Sequence, residues 1–276
     1  MPGRLLVIAT PIGNLSDASP RMIEAMRRCD RIFCEDTRHT MKLLRHFDID
    51  VPLESLHDFN EDAKLARVMA ELESGATIGI ASDAGTPLLS DPGFPVVREA
   101  RARGYAVEPI PGAFAAAVAL SASGIAPVPF QFLGFAPHRE GDRTEFYRRA
   151  AAAGMTTIVY ESPHRLVASL ENALSVLGDV EVAVARELTK LHEEILRGTI
   201  SGVLEDLRAR ETILGEITLV FAAATPPEAV VPAADELRAE LERLRAGGMR
   251  RNDAIKALGE KYGVAKNEIY RLILGE

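Results

Sequence analysis

The strongest constraint in this sequence is an alternation. From Leu5 to Ile110, short apolar runs of strand type (Leu5–Ala9, Arg31–Cys34, Thr77–Ala81 and Ala106–Ile110) take turns with helical patterns (Pro20–Arg28, Thr37–Phe47, Glu61–Ser74 and Phe94–Arg103). Such a pattern predicts an α/β architecture, a mostly parallel sheet with helices on both faces. The punctuation agrees: Ser19-Pro20 sets an N-cap ahead of a proline in the first helical turn, and Gly75 and Gly104 each stop a helix before the next strand. In Thr77–Ala81 apolar side chains fall on both faces, as a doubly covered parallel strand requires. The loop that follows, SDAGTPLLSDPG, puts glycine and proline at the strand's carboxyl end, where open α/β sheets bind ligands.

Pro127, Pro129 and Pro137 then bracket PFQFLGFAP, which predicts a hinge into a second unit. That unit is also α/β, with strands over Thr156–Tyr160, Val180–Ala185, Glu193–Leu196 and Ile217–Phe221 and helices over His164–Leu177 and Ser201–Arg210. Hairpin-like spacing around Glu193 predicts a mixed sheet. After Ala224 a linker rich in proline and alanine leads into helical sequence. Glu236–Arg245 is amphipathic, Gly247-Gly248 break it, Asn252 caps the next helix, and Gly263 supplies a turn. Leu258, Val264, Ile269 and Leu272 could then share one small core, the pattern of a helix-turn-helix. The expected organisation is therefore two α/β units, 1–122 and 123–225, with a small all-α tail, 229–276.

A chain of 276 residues with 47% hydrophobic content can fill the cores of two or three domains. Its net charge of −8 disfavours nucleic-acid binding through overall charge and leaves a local basic patch as the route. Residues 229–276 carry nine Lys or Arg against eight Asp or Glu, so only the tail leans basic. Cys29 and Cys34 match no metal spacing and read as small buried hydrophobes, in keeping with a reducing cytoplasm. Leu5–Ala9 is too short for a membrane span, so no membrane partner is expected, and the cysteine spacing leaves no metal expected.

Several loops carry residues suited to chemistry. ATPIGNLSD leaves the first strand with Thr10, Pro11, Gly13 and Asn14; it lets backbone approach a ligand, but it is not G-x-G-x-x-G, which disfavours a dinucleotide. FCEDTRHT brings Glu35, Asp36, Arg38 and His39 to the second strand's end, as an acid/base or phosphate-gripping cluster or, more plainly, as a helix cap with a solvated ion pair. PIPGAFAAAVALSASG puts small residues at a helix start, suited to a flat ligand or to close packing between helices. In the second unit YESPHR supplies Glu161, His164 and Arg165, and ARELTKLHEE supplies Arg186, Glu187, Lys190 and His192.

Taken in order, ATPIGNLSD, EDTR, ASDAGTPLLSDPG, PIPGAFAAA, ESPHR, ARELTKLHEE and GEITLVF, across residues 4–223, resemble the tetrapyrrole methylase superfamily. These are S-adenosylmethionine enzymes of two α/β units with the cofactor in the cleft between them. SDAGTP, EDTRHT and ESPHR together resemble the branch that methylates the ribose 2′-oxygen of a cytidine in bacterial 16S ribosomal RNA, and the helix-turn-helix is similar to that branch's tail. The resemblance implies S-adenosylmethionine as cofactor, 16S RNA or the assembled small subunit as partner, a homodimer and a cytoplasmic location. The superfamily's G-x-G-P-G-D run appears as ATPIGN, with Ile12 and Gly13 where its proline and next glycine would be. Its G-D-P appears as Gly85-Thr86-Pro87, so Asp83 or the backbone is left to grip the cofactor.

Residue-by-residue matching implies a cofactor pocket of Pro11, Ile12 and Gly13, of Asp83, Ala84, Gly85, Thr86 and Leu89, and of Phe114 and Ala115, with Glu161 and Leu188 from the second unit. Methyl transfer from a sulfonium is an in-line displacement, and a ribose hydroxyl becomes a good nucleophile only as its proton leaves. Asp36 or Lys190 is expected to assist deprotonation, while Arg38, Arg165 and Arg186 orient phosphate or ribose. Local positive charge for RNA is available from Arg139, Arg143, Arg148 and Arg149 and from the tail's Arg250, Arg251, Lys256 and Lys266. Two alternatives stay open: a tetrapyrrole carbon methyltransferase, and a non-enzymatic sensor that uses the tail on DNA.

Overall fold

The computed structural model describes residues 3–57, 60–224, 234–262 and 266–274, with backbone alone for 260, 261, 266–268 and 274. The first unit runs β1 (Arg4–Ile8), α1 (Pro20–Arg27), β2 (Arg31–Cys34), α2 (Thr37–His46), β3 (Leu53–Ser55), α3 (Glu61–Glu73), β4 (Thr77–Ala81), α4 (Phe94–Ala102), β5 (Ala106–Ile110) and α5 (Ala115–Ser123). Its five strands lie in the order β3-β2-β4-β1-β5, and every pairing is parallel. Alternation along β1 sends Leu6 and Ile8 into a core with α1 and α2, and Leu5 into a second core with α3 and α4. At Gly79 in the central strand a Cβ would lie 2.9 Å from the Cys29 Sγ, so glycine there lets α1 seat against the sheet. Burial pushes the Cys29 thiol up to about 12 and the Cys34 thiol up to about 11, and both behave as buried hydrophobes.

The second unit contains β6 (Phe130–Phe135), α6 (Glu140–Ala152), β7 (Thr156–Glu161), α7 (Leu166–Leu177), β8 (Glu181–Arg186), β9 (Glu194–Thr199), α8 (Ile200–Arg208) and β10 (Ile217–Phe221). The sheet order is β6-β7-β10-β8-β9; β6 pairs with β7 in parallel and the other pairs are antiparallel, the mixed sheet that the spacing predicts. PFQFLGFAP is more than a hinge. It forms β6, an edge strand with a register shift between Phe132 and Phe135, where Gly134 takes φ 69°. One face of this sheet packs on α6, α7 and α8. The other is covered by α5, whose Ala116, Ala119 and Leu120 bury against Ile158, Ala183 and Val220. The helix that follows the last strand of the first unit thus belongs to the core of the second, and Ile12 and Leu188 join the same cluster.

The tail forms α9 (Ala234–Ala246), α10 (Arg251–Tyr262) and α11 (Lys266–Leu274) around a core of its own that includes Leu237, Leu241, Ile255, Leu258 and Ile269. Leu258 and Ile269 are buried and Leu272 partly so, as the helix-turn-helix pattern predicts; Gly263 and Val264 lie outside the described residues. Asn252 does not cap α10. The Arg250 carbonyl accepts from the Asp253 and Ala254 amides, which places Asn252 inside the first turn.

Candidate functional site

The loop after β1 and the loop after β4 are tied together by backbone. The Thr10 amide donates to the Gly85 carbonyl at 2.9 Å and the Gly85 amide to the Thr10 carbonyl at 3.1 Å. The Thr10 hydroxyl adds a 3.0 Å bond to the Ser82 carbonyl. Gly85 sits at φ 91°, a conformation that favours glycine. The Thr86 hydroxyl donates to the Ala113 carbonyl at 2.9 Å, so the residue that replaces the family's acid joins the β4 loop to the β5 loop. Leu88 and Ser90 both take φ 73°, strain held in a loop that faces a cavity.

That cavity, about 380 Å³, lies between the two sheets. The first unit contributes Ile12, Asp83, Ala84, Gly85, Thr86, Leu89, Phe114 and Ala115 to its wall, together with Ser90 and Asp91. Phe135, Tyr160, Glu161, Ser162 and Pro163 close it from β6 and β7, and Gly215, Glu216, Ile217 and Thr218 from the start of β10. Pro11, Gly13 and Leu188, expected beside the cofactor, are not part of this wall: Pro11 and Leu188 are buried, and Gly13 instead lies under the Lys190 side chain. The sequence did not single out Tyr160, Phe135, Ser90 or Asp91 as site residues, although Asp91 stands in the quoted SDPG and Tyr160 directly precedes ESPHR.

The electrostatics are dominated by carboxylates. Burial raises the carboxyls of Asp83 and Asp91 above their ordinary values; the Asp36 amide at 3.1 Å opposes this at Asp83, and the Ser82 hydroxyl opposes it at Asp91. Glu161 is fully buried at its side chain and pairs through Oε1 with Arg165 at 2.6 Å and with the Ser162 amide at 2.8 Å, while its buried Oε2 has no hydrogen-bond partner among the described residues. Burial also lifts the Tyr160 phenol to about 12.

Asp36 caps α2 through the Arg38 amide and receives the Arg38 guanidinium, which hold its carboxyl down at about 2. A carboxylate so stabilised is a weak base, and neither Asp36 nor Arg38 lines the cavity. Lys190 reaches Glu187 at 2.8 Å and Glu216 at 3.2 Å; burial works against its charge, yet those two carboxylates raise it above the usual lysine range, so it stays an ammonium.

The arginines expected to meet RNA divide. Arg165 is committed to Glu161 and to the Ala136 carbonyl, and Arg186 to Glu194 and the Leu214 carbonyl. Arg143 cannot contact a phosphate where it lies: it is 6% exposed and donates to the carbonyls of Pro137 and His138, which corrects its assignment to the RNA surface. Arg139, Arg148, Arg149, Arg250 and Arg251 are exposed, the last with its guanidinium 5.8 Å from the Tyr270 ring centre.

A cleft between two α/β units, lined by backbone and small residues at strand ends, is the architecture of a class of methyltransferases. Residues 4–204 match the family described as Tetrapyrrole (Corrin/Porphyrin) Methylases, and the chain belongs to that family. It is 42% identical over 273 residues to Ribosomal RNA small subunit methyltransferase I of Halalkalibacterium halodurans, covering 98% of this chain and 94% of that protein. The protein of the same name from Synechocystis sp. is 41% identical, covering 99% and 98%. Among solved structures, a diphthine synthase superposes with TM-score 0.63 at 14% identity over 80% of this chain and 90% of that one. The uroporphyrin-III-C-methyltransferase from Thermus thermophilus gives TM-score 0.56 at 16% identity over 81% and 96%; both show likeness of fold. No helix among the described residues is long and apolar enough to cross a membrane, and no group of three or more His, Cys, Asp or Glu among them could hold a metal ion.

Proposed function

We propose that this methyltransferase transfers a methyl group from S-adenosylmethionine to the ribose 2′-oxygen of a cytidine in 16S ribosomal RNA of the small subunit. The observation that carries the RNA substrate is the extent of similarity. The family match ends at residue 204, whereas the two relatives described above, both named for ribosomal RNA, align over 98% and 99% of the chain, the tail included.

The cavity fits such a cofactor. Ile12, Leu89 and Phe114 offer apolar surface to an adenosine, and Asp83, Ala84 and Thr86 bring the chain to the wall around Gly85, whose own amide and carbonyl are held by Thr10. Asp83, Asp91, Glu161 and Glu216 surround it with carboxylates suited to a sulfonium and an ammonium, and the unpartnered Oε2 of Glu161 is an acceptor awaiting a donor. When bound, S-adenosylmethionine supplies an electrophilic methyl carbon. The walls hold the reacting atoms in line and exclude water. Lys190 lies outside the cavity wall but is paired with the wall residue Glu216; kept protonated by Glu187 and Glu216, it would serve a developing alkoxide at that rim as a cation rather than as a base. Exposed Arg139, Arg250 and Arg251 supply the charge that an acidic protein needs to approach RNA. A homodimer is what the family resemblance implies, and sedimentation would measure it.

Radiolabelled methyl transfer to naked 16S RNA, isolated small subunits and DNA, followed by mapping of the modified nucleotide, tests the function. Label on a cytidine 2′-oxygen is expected. Label on no RNA, or at a position other than a ribose 2′-oxygen, would overturn it.

A further inference from the structure

A second compartment of about 490 Å³ adjoins the cavity between the sheets. Ser90, Asp91 and Phe135 belong to the walls of both, so the two meet over the Asp91 carboxylate. Its other walls are Glu35 and His57 together with Leu88, Pro92, Leu133 and Gly134, and polar surface takes a larger share of it than of the first cavity. The partition is built from two irregular segments. Ser90 stands at φ 73°, and its hydroxyl lies 3.0 Å from where a Cβ on Gly134 would be, in the bulged part of β6. The Ser82 hydroxyl donates to Asp91 Oδ2 and fixes that side chain from behind. Phe135 is 57% exposed, with its ring centre 5.4 Å from that of Tyr160.

Geometry limits what can sit there. If the reacting 2′-oxygen enters the first cavity, the base attached to the neighbouring ribose carbon must occupy space that opens directly onto it. A neighbouring cavity that also shares the Asp91 wall has a volume of about 10 Å³, which holds no more than a water. The 490 Å³ compartment accommodates a nucleobase and offers an aromatic face beside a carboxylate acceptor. Carboxylates accept from the exocyclic amine of cytosine, and exposed aromatic rings stack on unpaired bases.

We propose that this second compartment receives the acceptor's unstacked base, an aminopyrimidine, with Asp91 accepting from its exocyclic amine and Phe135 against its face. The assignment rests on the RNA ribose methylation proposed above, and makes Asp91 a specificity-determining residue. A uracil presents a carbonyl in place of the amine and meets the carboxylate as a mismatched acceptor.

The test uses small subunits reconstituted with 16S RNA carrying either cytidine or uridine at the methylated position. Wild-type kcat/KM is expected to favour cytidine strongly. Asp91→Asn, which can still accept from Ser82, should lower the ratio of the cytidine to the uridine rate by about tenfold or more, the range of one base-reading hydrogen-bond pair. Asp91 also faces the first cavity, so any fall in S-adenosylmethionine affinity, read by calorimetry, lowers both rates together and leaves their ratio as the readout, while the melting temperature is expected to change little. Phe135→Leu should raise KM for both RNAs by about fivefold or more with kcat nearly unchanged, as loss of one stacking face predicts. An equal fall on both RNAs for Asp91→Asn, a wild type that does not distinguish them, or an unchanged KM in Phe135→Leu would overturn the proposal. Absence of transfer from wild type to either RNA would overturn the function itself, and the base compartment with it.

Discussion

Lys190 crosses from the second unit and lies over Gly13 of the first, so closely that a Cβ on Gly13 would stand 2.5 Å from the Lys190 Cγ. Gly13 also holds φ 141°, and Lys190 continues to Glu187 and Glu216. Gly13→Ala therefore combines backbone strain with displacement of the ammonium. It should cost about 1–3 kcal/mol in urea unfolding. Lys190→Ala should lower single-turnover methyl transfer by about 100-fold with the fold intact. In the double variant the steric part of the Gly13→Ala cost should vanish. Strict additivity of the two unfolding free energies would show that the contact carries no coupling.

The buried pair of Glu161 and Arg165 gives a second expectation. Arg165→Ala leaves the Glu161 carboxylate, fully buried, without its guanidinium, and should destabilise the protein by about 3–5 kcal/mol. Glu161→Gln removes the charge while keeping the shape. It should cost less in denaturant unfolding than Arg165→Ala but weaken S-adenosylmethionine binding in calorimetry, and the reverse order would contradict the roles given to the two carboxylate oxygens.

Thr86 tests whether a hydroxyl in place of the family's acid serves to lock the loops. Thr86→Val keeps the volume and leaves the Ala113 carbonyl without its donor, at a cost of about 1 kcal/mol. Because Thr86 lines the cavity and Ala113 directly precedes Phe114 in its wall, cofactor affinity should fall in parallel. Unchanged stability and affinity would mean that the backbone bridge between Thr10 and Gly85 suffices.

Acid stability should report on Glu194. Hydrogen bonds from Arg210 outweigh burial, and with Arg186 they bring its carboxyl from the ordinary 4.5 down to about 2. A carboxyl depressed on folding contributes stability that is present above pH 4.5 and is lost as pH falls from there toward 2. Wild type should therefore lose stability more steeply across that window than Glu194→Gln, which is already weakened at neutral pH. Parallel pH profiles would remove Glu194 from the account of acid unfolding.

The tail's exposed arginines should act through phosphates. Arg250→Ala with Arg251→Ala should weaken RNA binding and reduce the dependence of log Kd on log salt by about 1–2 units of slope, one for each lost phosphate contact. S-adenosylmethionine affinity should not move. Equal loss of both affinities would point to a perturbed fold instead.

What the sequence determined by itself was whatever depends on neighbours along the chain. The strands β1, β2, β4 and β5 and their helices could be read because apolar period and Gly or Pro punctuation are local. The cavity residues Ile12, Asp83 to Thr86 and Phe114 stood in motifs at strand ends, where a parallel sheet leaves backbone open. The three residues of β3 are too few to show a period, and β6 was hidden by its flanking prolines and the bulge at Gly134. Tertiary structure alone decided what distant side chains do. Packing of α6 buried Arg143, which shares the helix face of Phe146, Tyr147 and Ala150 three, four and seven residues on, while Arg148 on the opposite side stays exposed. Packing of α5 across the second sheet joined the two units through one core. Register placed Tyr160 and Phe135 opposite Asp91, and so turned a loop at the end of β4 into one wall of two adjoining compartments. Those relations span long stretches of chain and arise from shape and desolvation, which no local pattern encodes.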